Sequence, residues 1–200
     1  MEYLVPQQKH TQLLRILTTP RWYLAISKLQ KTKRPPLINQ LKINYDASFV
    51  SNDTYAGIGL ILRDGTGSCK GVRAERCNTL SPEEAEGCAV LAAFKWAQEL
   101  SLINCCIEDD SKSISDYLLR KRTNLSWRTV SILNEAMMIK DTTNLNFSTS
   151  FVFRSANSVA DLLAKEARYF HSDQTWLDNY PTILCPLLSA DTNSDPSIFV

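Results

Sequence analysis

Residues 41–49 read LKINYDASF, and apolar and polar side chains alternate along them. This alternation predicts a β-strand with one buried face. Asp46 lies towards the end of the strand, and three other acidic residues lie where a predicted strand ends or a predicted helix begins: Glu86, Asp110 and Asp161. The four carboxylates are far apart in the chain, so only the fold can bring them together.

The segments that follow predict an α/β fold. Residues 56–63 have the pattern of a second strand, and the Asp-Gly pair at 64–65 predicts a hairpin turn into a third strand at 68–77. A helix should begin after Ser81, because serine caps it, proline suits its first position and Glu84 completes a capping box. Five more elements follow: a strand at 103–108, helices at 111–122 and 125–140, a strand at 146–154 and a helix at 158–170. This order predicts a mixed five-stranded sheet, with three antiparallel strands and then two further strands, flanked by helices.

The four acidic residues suggest a chemistry if the fold assembles them. Like charges repel, so a cluster of carboxylates without cations would be unstable. Hard divalent cations such as Mg²⁺ prefer oxygen ligands and would make the cluster tolerable. A pair of such ions can hold the attacking and leaving oxygens of a phosphodiester during in-line displacement.

The overall charge gives no sign of a nucleic-acid partner. The chain has 200 residues, is 44% hydrophobic and carries a formal net charge of +1, so it lacks a global cationic field. Any contact with nucleic acid must therefore use a local patch. Arg120, Lys121 and Arg122 form a cationic run that is followed by Trp127. This run either grips phosphates or is a solvated helix end.

Cysteine and histidine usage argues against a zinc site. Six cysteines form no C-x-x-C pair, and the chain has two histidines, a pattern typical of reduced thiols in an intracellular protein. The start of the chain lacks the pattern of a signal peptide, and no run of about 18 apolar residues could span a membrane. The basic segment 28–36 is either a solvated linker or a weak nuclear address, which leaves nuclear and cytoplasmic locations open.

The sequence divides into three predicted regions. Residues 1–39 form an N-terminal arm and linker, with a short amphipathic helix at about 12–22. Residues 40–171 form the domain, which we expect to be monomeric. Residues 172–200 form a tail that folds back loosely, and its last ten residues are expected to be disordered.

The motifs in this order resemble the ribonuclease H type 1 family, and more narrowly the plant retrotransposon-type ribonuclease H-like domain. The resemblance rests on NYDAS at 44–48, AGIG at 56–59, EAE at 84–86, DS at 110–111 and ANSVAD at 156–161. It covers about residues 40–170. No single motif is specific, and the argument depends on all five lying in the right order on the right elements.

The resemblance implies an endoribonuclease that cuts the RNA strand of RNA–DNA hybrids. In that family four carboxylates hold two Mg²⁺ ions beside the scissile phosphate, and Mn²⁺ can substitute. By motif these carboxylates are Asp46, Glu86, Asp110 and Asp161. Asp109 is the rival of Asp110, which is preferred because the family places serine directly after the aspartate. The expected substrate contacts are Asn44, Ser48, Ser111, Asn157, Arg120 and Lys121. A role at the end of the strand is an equal alternative for Asn44 and Ser48, and capping of the last helix is an equal alternative for Asn157.

Two positions depart from the family pattern. Phe151 stands where many members have a histidine that assists proton movement or product release, and Ala47 stands where many have glycine. Loss of an auxiliary proton shuttle typically removes about 10²–10⁴-fold of the rate, whereas loss of the metal ligands abolishes it. We therefore expect slow but real cleavage.

Three functions stay open at this point. The first is the hybrid-cleaving enzyme, which requires that Asp46→Asn abolishes activity. The second is a catalytically weak or inactive module, derived from a retrotransposon, that binds nucleic acid without cutting it. The third is a folded remnant of a transposable element's polyprotein without a cellular role.

Overall fold

The computed structural model describes residue 36 and residues 39–192. Its strands are β1 Leu41–Ser48, β2 Ala56–Arg63, β3 Cys69–Cys77, β4 Asn104–Asp109, β5 Asn146–Phe151 and β6 Gln174–Trp176. Its helices are α1 Pro82–Glu99, α2 Lys112–Leu118, α3 Trp127–Thr142, α4 Ser158–Ala167 and α5 Cys185–Thr192, with 3₁₀ turns at Arg154–Ala156 and Thr182–Leu184. The predicted helix at 12–22 lies outside the described residues, as do all but the first two of the last ten residues, which were predicted to be disordered; those two belong to α5. None of the described helices is long and apolar enough to cross a membrane.

The strands form one mixed sheet in the order β5-β4-β1-β2-β3-β6. The first three strands pair antiparallel, as the order of elements predicted, and β1, β4 and β5 pair parallel, which makes the sheet mixed. The prediction of five strands was wrong by one, because β6 lies in the segment assigned to the tail. A strand of three residues is too short to show an alternating pattern, and its pairing depends on the edge of β3 being available.

Besides the last predicted helix, which ends at Ala167 instead of residue 170, two predicted elements end earlier than expected. The helix predicted to reach Arg122 stops at Leu118, because Arg120 adopts a left-handed backbone conformation with φ of 58°. The strand predicted to reach Arg154 stops at Phe151, where the chain turns into the 3₁₀ segment. Both differences lie where the backbone leaves a regular element, and residue patterns define such boundaries poorly.

Helices cover both faces of the sheet. On one face, α1 and α3 pack against a core that includes Ile43, Tyr45 and Leu60. On the other face, α4 packs against Ile61 and its neighbours on β3. Successive side chains of β1 and β2 thus point to opposite faces of the sheet, which explains the alternating pattern in their sequences.

The tail contributes to the second core. Leu184 is fully buried with the residues of α4, and Trp176 and Tyr180 pack against them. The Tyr180 hydroxyl donates a hydrogen bond to the backbone carbonyl of Cys69 at 3.0 Å. The described part of the tail is therefore attached to the domain through β6, the second core and this hydrogen bond.

The backbone of α4 lies unusually close to β2. A Cβ atom on Gly57 would lie 2.1 Å from the carbonyl oxygen of Ala164, and one on Gly59 would lie 2.4 Å from that of Ala160. Real Cβ atoms do not approach backbone atoms so closely, so any larger residue would push the helix away from the sheet. The two glycines of the AGIG motif thus set the position of α4.

We expect Gly57→Ala and Gly59→Ala each to lower the free energy of unfolding by about 1–3 kcal/mol or more, because overpacking moves the backbone. Denaturant unfolding measures this loss. Gly87→Ala is the matched control, since its Cβ would meet Thr129 at 3.4 Å and alanine favours a helix. Equal stability of all three variants would contradict the close packing of α4 on β2.

Candidate active site

Parallel pairing of β1 and β4 brings two of the predicted carboxylates side by side. The last paired positions of these strands are Asn44 and Glu108. Asp46 and Asp110 lie two residues beyond them, at the same end of the sheet. Asp110 follows directly after β4, where the chain leaves the sheet.

Two helices supply the other carboxylates from opposite faces. Glu86 lies near the start of α1, whose N-cap Ser81 accepts a hydrogen bond from the backbone N–H of Glu84 at 3.1 Å. Asp161 lies in the first turn of α4. Each helix therefore begins at the end of the sheet where β1 and β4 stop.

Burial and repulsion between carboxylates raise the pKa values of Asp46, Glu86 and Asp110. Asp46 is 4% exposed, and its pKa is raised to about 7 by burial and then by the charges of Asp110 and Asp161. The pKa of Glu86 is raised to about 9 by burial and by the charges of Asp46 and Asp110. Burial also raises the pKa of Asp110. The four groups act on one another and form one unit, which we name the carboxylate cluster.

Two oxygens of the carboxylate cluster are buried without a hydrogen-bond partner among the described residues. They are Asp46 Oδ2 and Glu86 Oε2. The other oxygen of Asp46, Oδ1, accepts a hydrogen bond from the backbone N–H of Ala47 at 2.9 Å. Buried anionic oxygens without donors are unfavourable, and hard divalent cations take such oxygens as ligands. The residues present therefore fit Mg²⁺ or Mn²⁺.

Two basic side chains offset part of the negative charge. Arg154 Nη2 lies 3.6 Å from Asp161 Oδ1, and Lys165 Nζ lies 2.6 Å from Asp161 Oδ2. The Arg154 charge also opposes the rise in the pKa values of Asp46 and Glu86. In the described part of the chain, no group of three or more His, Cys, Asp or Glu side chains is already arranged to hold a metal ion.

Asp109, the rival of Asp110, has a different environment. It is 2% exposed and accepts hydrogen bonds from the Tyr45 hydroxyl, from Ser115 Oγ at 2.7 Å and from the backbone N–H of Ser111 at 3.1 Å. Burial raises its pKa to about 6, although the bonds from Tyr45 and Ser115 oppose the rise. Asp109 thus ties β1, β4 and α2 together. Sequence reasoning missed this network, although strand alternation places Tyr45 and Asp109 on the same face.

Asn157 connects α4 to β1. Its side chain is 1% exposed, and Nδ2 donates a hydrogen bond of 2.7 Å to the backbone carbonyl of Tyr45. The side chain makes no capping hydrogen bond to α4, and Oδ1 is buried without a partner among the described residues. Asn157 therefore holds the residue that precedes Asp46, and the capping alternative does not describe its hydrogen bonding.

The remaining predicted contacts lie in several settings. Asn44 is buried and donates to Glu108 Oε2 at 3.1 Å, while Glu108 also pairs with Lys42 at 2.9 Å. Ser48 is half-buried at the end of β1, and Ser111 precedes α2. Arg120 and Lys121 lie at the far end of α2, where they pair with Asp141 at 3.0 Å and with Asp116 at 2.7 Å. The structure thus gives both cations intramolecular carboxylate partners.

Sequence reasoning also missed Arg154 as a neighbour of the carboxylate cluster. The only available signal was its place three residues before Asn157, within the segment that carries Asp161.

We expect Glu86→Gln to stabilise the metal-free protein at alkaline pH. The folded protein holds the Glu86 proton more tightly than the unfolded chain does, so stability falls as the pH rises from about 4.5 towards 9. The amide cannot ionise, so its Tm should exceed that of the native protein by about 3–8 °C at pH 8 and by less at pH 5. Calorimetry in EDTA measures this difference.

The matched control is Glu83→Gln on the same helix. Glu83 is half-buried and accepts a hydrogen bond from the backbone N–H of Ser126 at 2.8 Å, which lowers its pKa, so its amide variant should gain no alkaline stability. If the Tm of the Glu86→Gln variant depends on pH as that of the native protein does, repulsion between Glu86 and the other carboxylates is contradicted.

Solved structures with the same fold are type 1 ribonucleases H. That of RNase H1 from the halophilic archaeon Halobacterium salinarum NRC-1 matches with a TM-score of 0.59 and 21% identity, over 64% of this chain and 96% of that chain. LC11-RNase H1, isolated from compost, matches with a TM-score of 0.60 and 21% identity, over 66% and 96%. The structure of the same protein in complex with an RNA/DNA hybrid matches with a TM-score of 0.58 and 20% identity, over 64% of this chain and 96% of that chain.

Sequence comparison gives a family for most of the chain. No curated protein sequence matches it. A family model described as reverse transcriptase-like matches residues 44–167, a range that begins within β1, ends with α4 and contains all four members of the carboxylate cluster. The chain therefore belongs to the reverse transcriptase-like family, and its fold is that of the type 1 ribonucleases H.

Proposed function

We propose that this protein is a metal-dependent endoribonuclease that hydrolyses the RNA strand of RNA–DNA hybrids. The observation that carries the proposal is the carboxylate cluster, in which Asp46 and Glu86 each have a buried oxygen that no donor of the described residues reaches. The fold supports it, because a protein of this fold is known in complex with an RNA/DNA hybrid.

The four carboxylates would hold two divalent ions. When bound, two Mg²⁺ ions, or Mn²⁺ in their place, supply positive charge for the attacking water and for the leaving 3′ oxygen. Asp46 and Glu86 must lose their protons to act as ligands, so binding is expected to strengthen as the pH rises through about 7 and towards 9. Asn157 keeps Asp46 in place through the Tyr45 carbonyl.

Substrate contacts would come from groups around the end of the sheet. Ser48 and Ser111 lie at the ends of β1 and β4 and offer hydroxyls for the nucleic-acid backbone. Arg154 is 79% exposed at its side chain and lies beside Asp161, so it can meet a phosphate near the cluster. Asn44, Arg120 and Lys121 would have to exchange their present partners to bind substrate.

A second candidate is a module that binds hybrid without cutting it. Phe151 favours this candidate, since it stands where the resembled family often has histidine and cannot transfer a proton. Recognition of the shape and 2′-hydroxyls of a hybrid does not require the carboxylates. Binding should then be salt-dependent and survive their substitution.

We expect Asp46→Asn to reduce cleavage of a labelled RNA–DNA hybrid by at least about 10³-fold, because the amide is a poor ligand for a hard cation. Gel assays with Mg²⁺ and with Mn²⁺ measure the rate. Asp53→Asn is the matched control. Asp53 is exposed in a turn, so this variant should cleave the hybrid at the native rate. Undiminished cleavage by the Asp46→Asn variant would overturn the enzyme proposal. If the native protein binds the hybrid but does not cleave it, the second candidate is favoured.

We expect Phe151→His to increase the cleavage rate of a blunt hybrid by about 10²-fold, since it restores a group that can move a proton. Phe153→His is the control, because it introduces the same side chain two residues further on. Rates should be compared across pH 6 to 9, because only a proton-transferring histidine changes the shape of the profile. An equal rate increase in both variants would show that position 151 has no special role.

A further inference from the structure

Two exposed aromatic side chains lie where β5 ends and the chain turns towards α4. Phe151 is 43% exposed at the end of β5, and Phe153 is 65% exposed two residues later. Their ring centroids are 5.6 Å apart and their planes make an angle of 78°. The two rings contact each other, and the rest of their surfaces faces solvent. Large apolar side chains are usually buried, so this exposed pair calls for an explanation.

The rings are fixed close to the proposed reaction centre. Phe151 pairs with Asp109 in the sheet, and the backbone N–H of Val152 donates to the Asp109 carbonyl at 2.6 Å. Asp109 directly precedes Asp110 of the carboxylate cluster. On the other side of the pair, Arg154 follows Phe153 and reaches Asp161 at 3.6 Å. The segment that carries the aromatic pair is therefore attached on one side to the strand that leads to Asp110 and on the other side to Asp161.

The neighbouring charges indicate which partner the rings suit. A nucleic acid presents flat aromatic bases joined by phosphates, and Arg154 next to the pair is complementary to a phosphate. A base inside a duplex is covered on both faces by its neighbours. The exposed rings can therefore stack only on a base whose face is open, as in a single strand.

We propose that Phe151 and Phe153 form a stacking platform for an unpaired nucleobase, on a strand that continues beyond the hybrid in the active site. This inference rests on the proposed function and deepens it, because it adds single-stranded flanks to the preferred substrate. Stacking tolerates any base, since every base has an aromatic face. The platform therefore recognises the junction between hybrid and single strand rather than a sequence.

The test compares two hybrids of identical duplex sequence. One is blunt, and the other carries a short single-stranded DNA extension, placed in turn at each end. Fluorescence anisotropy measures the Kd of each, with Asp46→Asn in all variants so that the hybrid is not cut. We expect the extension to strengthen binding by about 5- to 150-fold for the best-placed end, the range of stacking one base on an aromatic ring.

The double variant Phe151→Leu with Phe153→Leu removes the aromatic faces and keeps apolar side chains. It should bind the blunt hybrid as before and lose the preference for the extension. Tyr169→Leu is the matched control, because Tyr169 is 73% exposed beyond the end of α4 and should leave the preference unchanged. Thermal unfolding of each variant checks that the fold is retained.

The outcomes separate this inference from the proposed function. The platform is overturned if the protein shows no preference for the extension, or if the preference survives in the double leucine variant. The exposed rings would then be assigned to contact with a protein partner. Cleavage of the blunt hybrid by protein with native Asp46 is measured in parallel. A preference that is lost in the leucine variant, without any cleavage, supports the platform and overturns the enzyme.

Discussion

The contact between the backbones of β2 and α4 is the constraint on which the site depends. Because Gly57 and Gly59 have no side chains, α4 lies against the sheet with its first turn at the end of β1. There Asn157 donates to the Tyr45 carbonyl, and Asp161 faces Asp46 across the same gap. A helix held further from the sheet would lose both relationships at once, so the packing of two glycines determines the geometry of the carboxylates.

The carboxylate cluster opposes the stability of the domain that holds it. Burial and repulsion raise the pKa values of Asp46 and Glu86, and Arg154 and Lys165 supply only part of the missing positive charge. Sites that bind cations commonly retain such unfavourable charge in the free protein, since relief of the repulsion contributes to binding. The core around α1 and α3 must therefore provide the stability that the cluster removes.

Local patterns were sufficient for most of the fold and for the acidic residues. Strand alternation, the Asp-Gly turn and the Ser-Pro-Glu-Glu cap define elements within a few residues, and the four carboxylates lie at their ends. Partnerships between distant segments were not accessible in this way. The pairing of β6 with β3, the buried network of Asp109 and the position of Arg154 arise only when remote parts of the chain meet. The left-handed backbone at Arg120 likewise has no local signal, because arginine rarely adopts it.

The short strand β6 has a consequence for how the domain behaves when isolated. It covers the outer edge of β3 with three residues, while the family-model match stops earlier, at residue 167. A chain cut at that point would leave the N–H and C=O groups along β3 unpaired, and a bare sheet edge is a template for a second copy. The same cut would expose apolar side chains of the second core that Leu184 now covers. We therefore expect the segment after α4 to protect the domain from aggregation, a role unrelated to its chemistry.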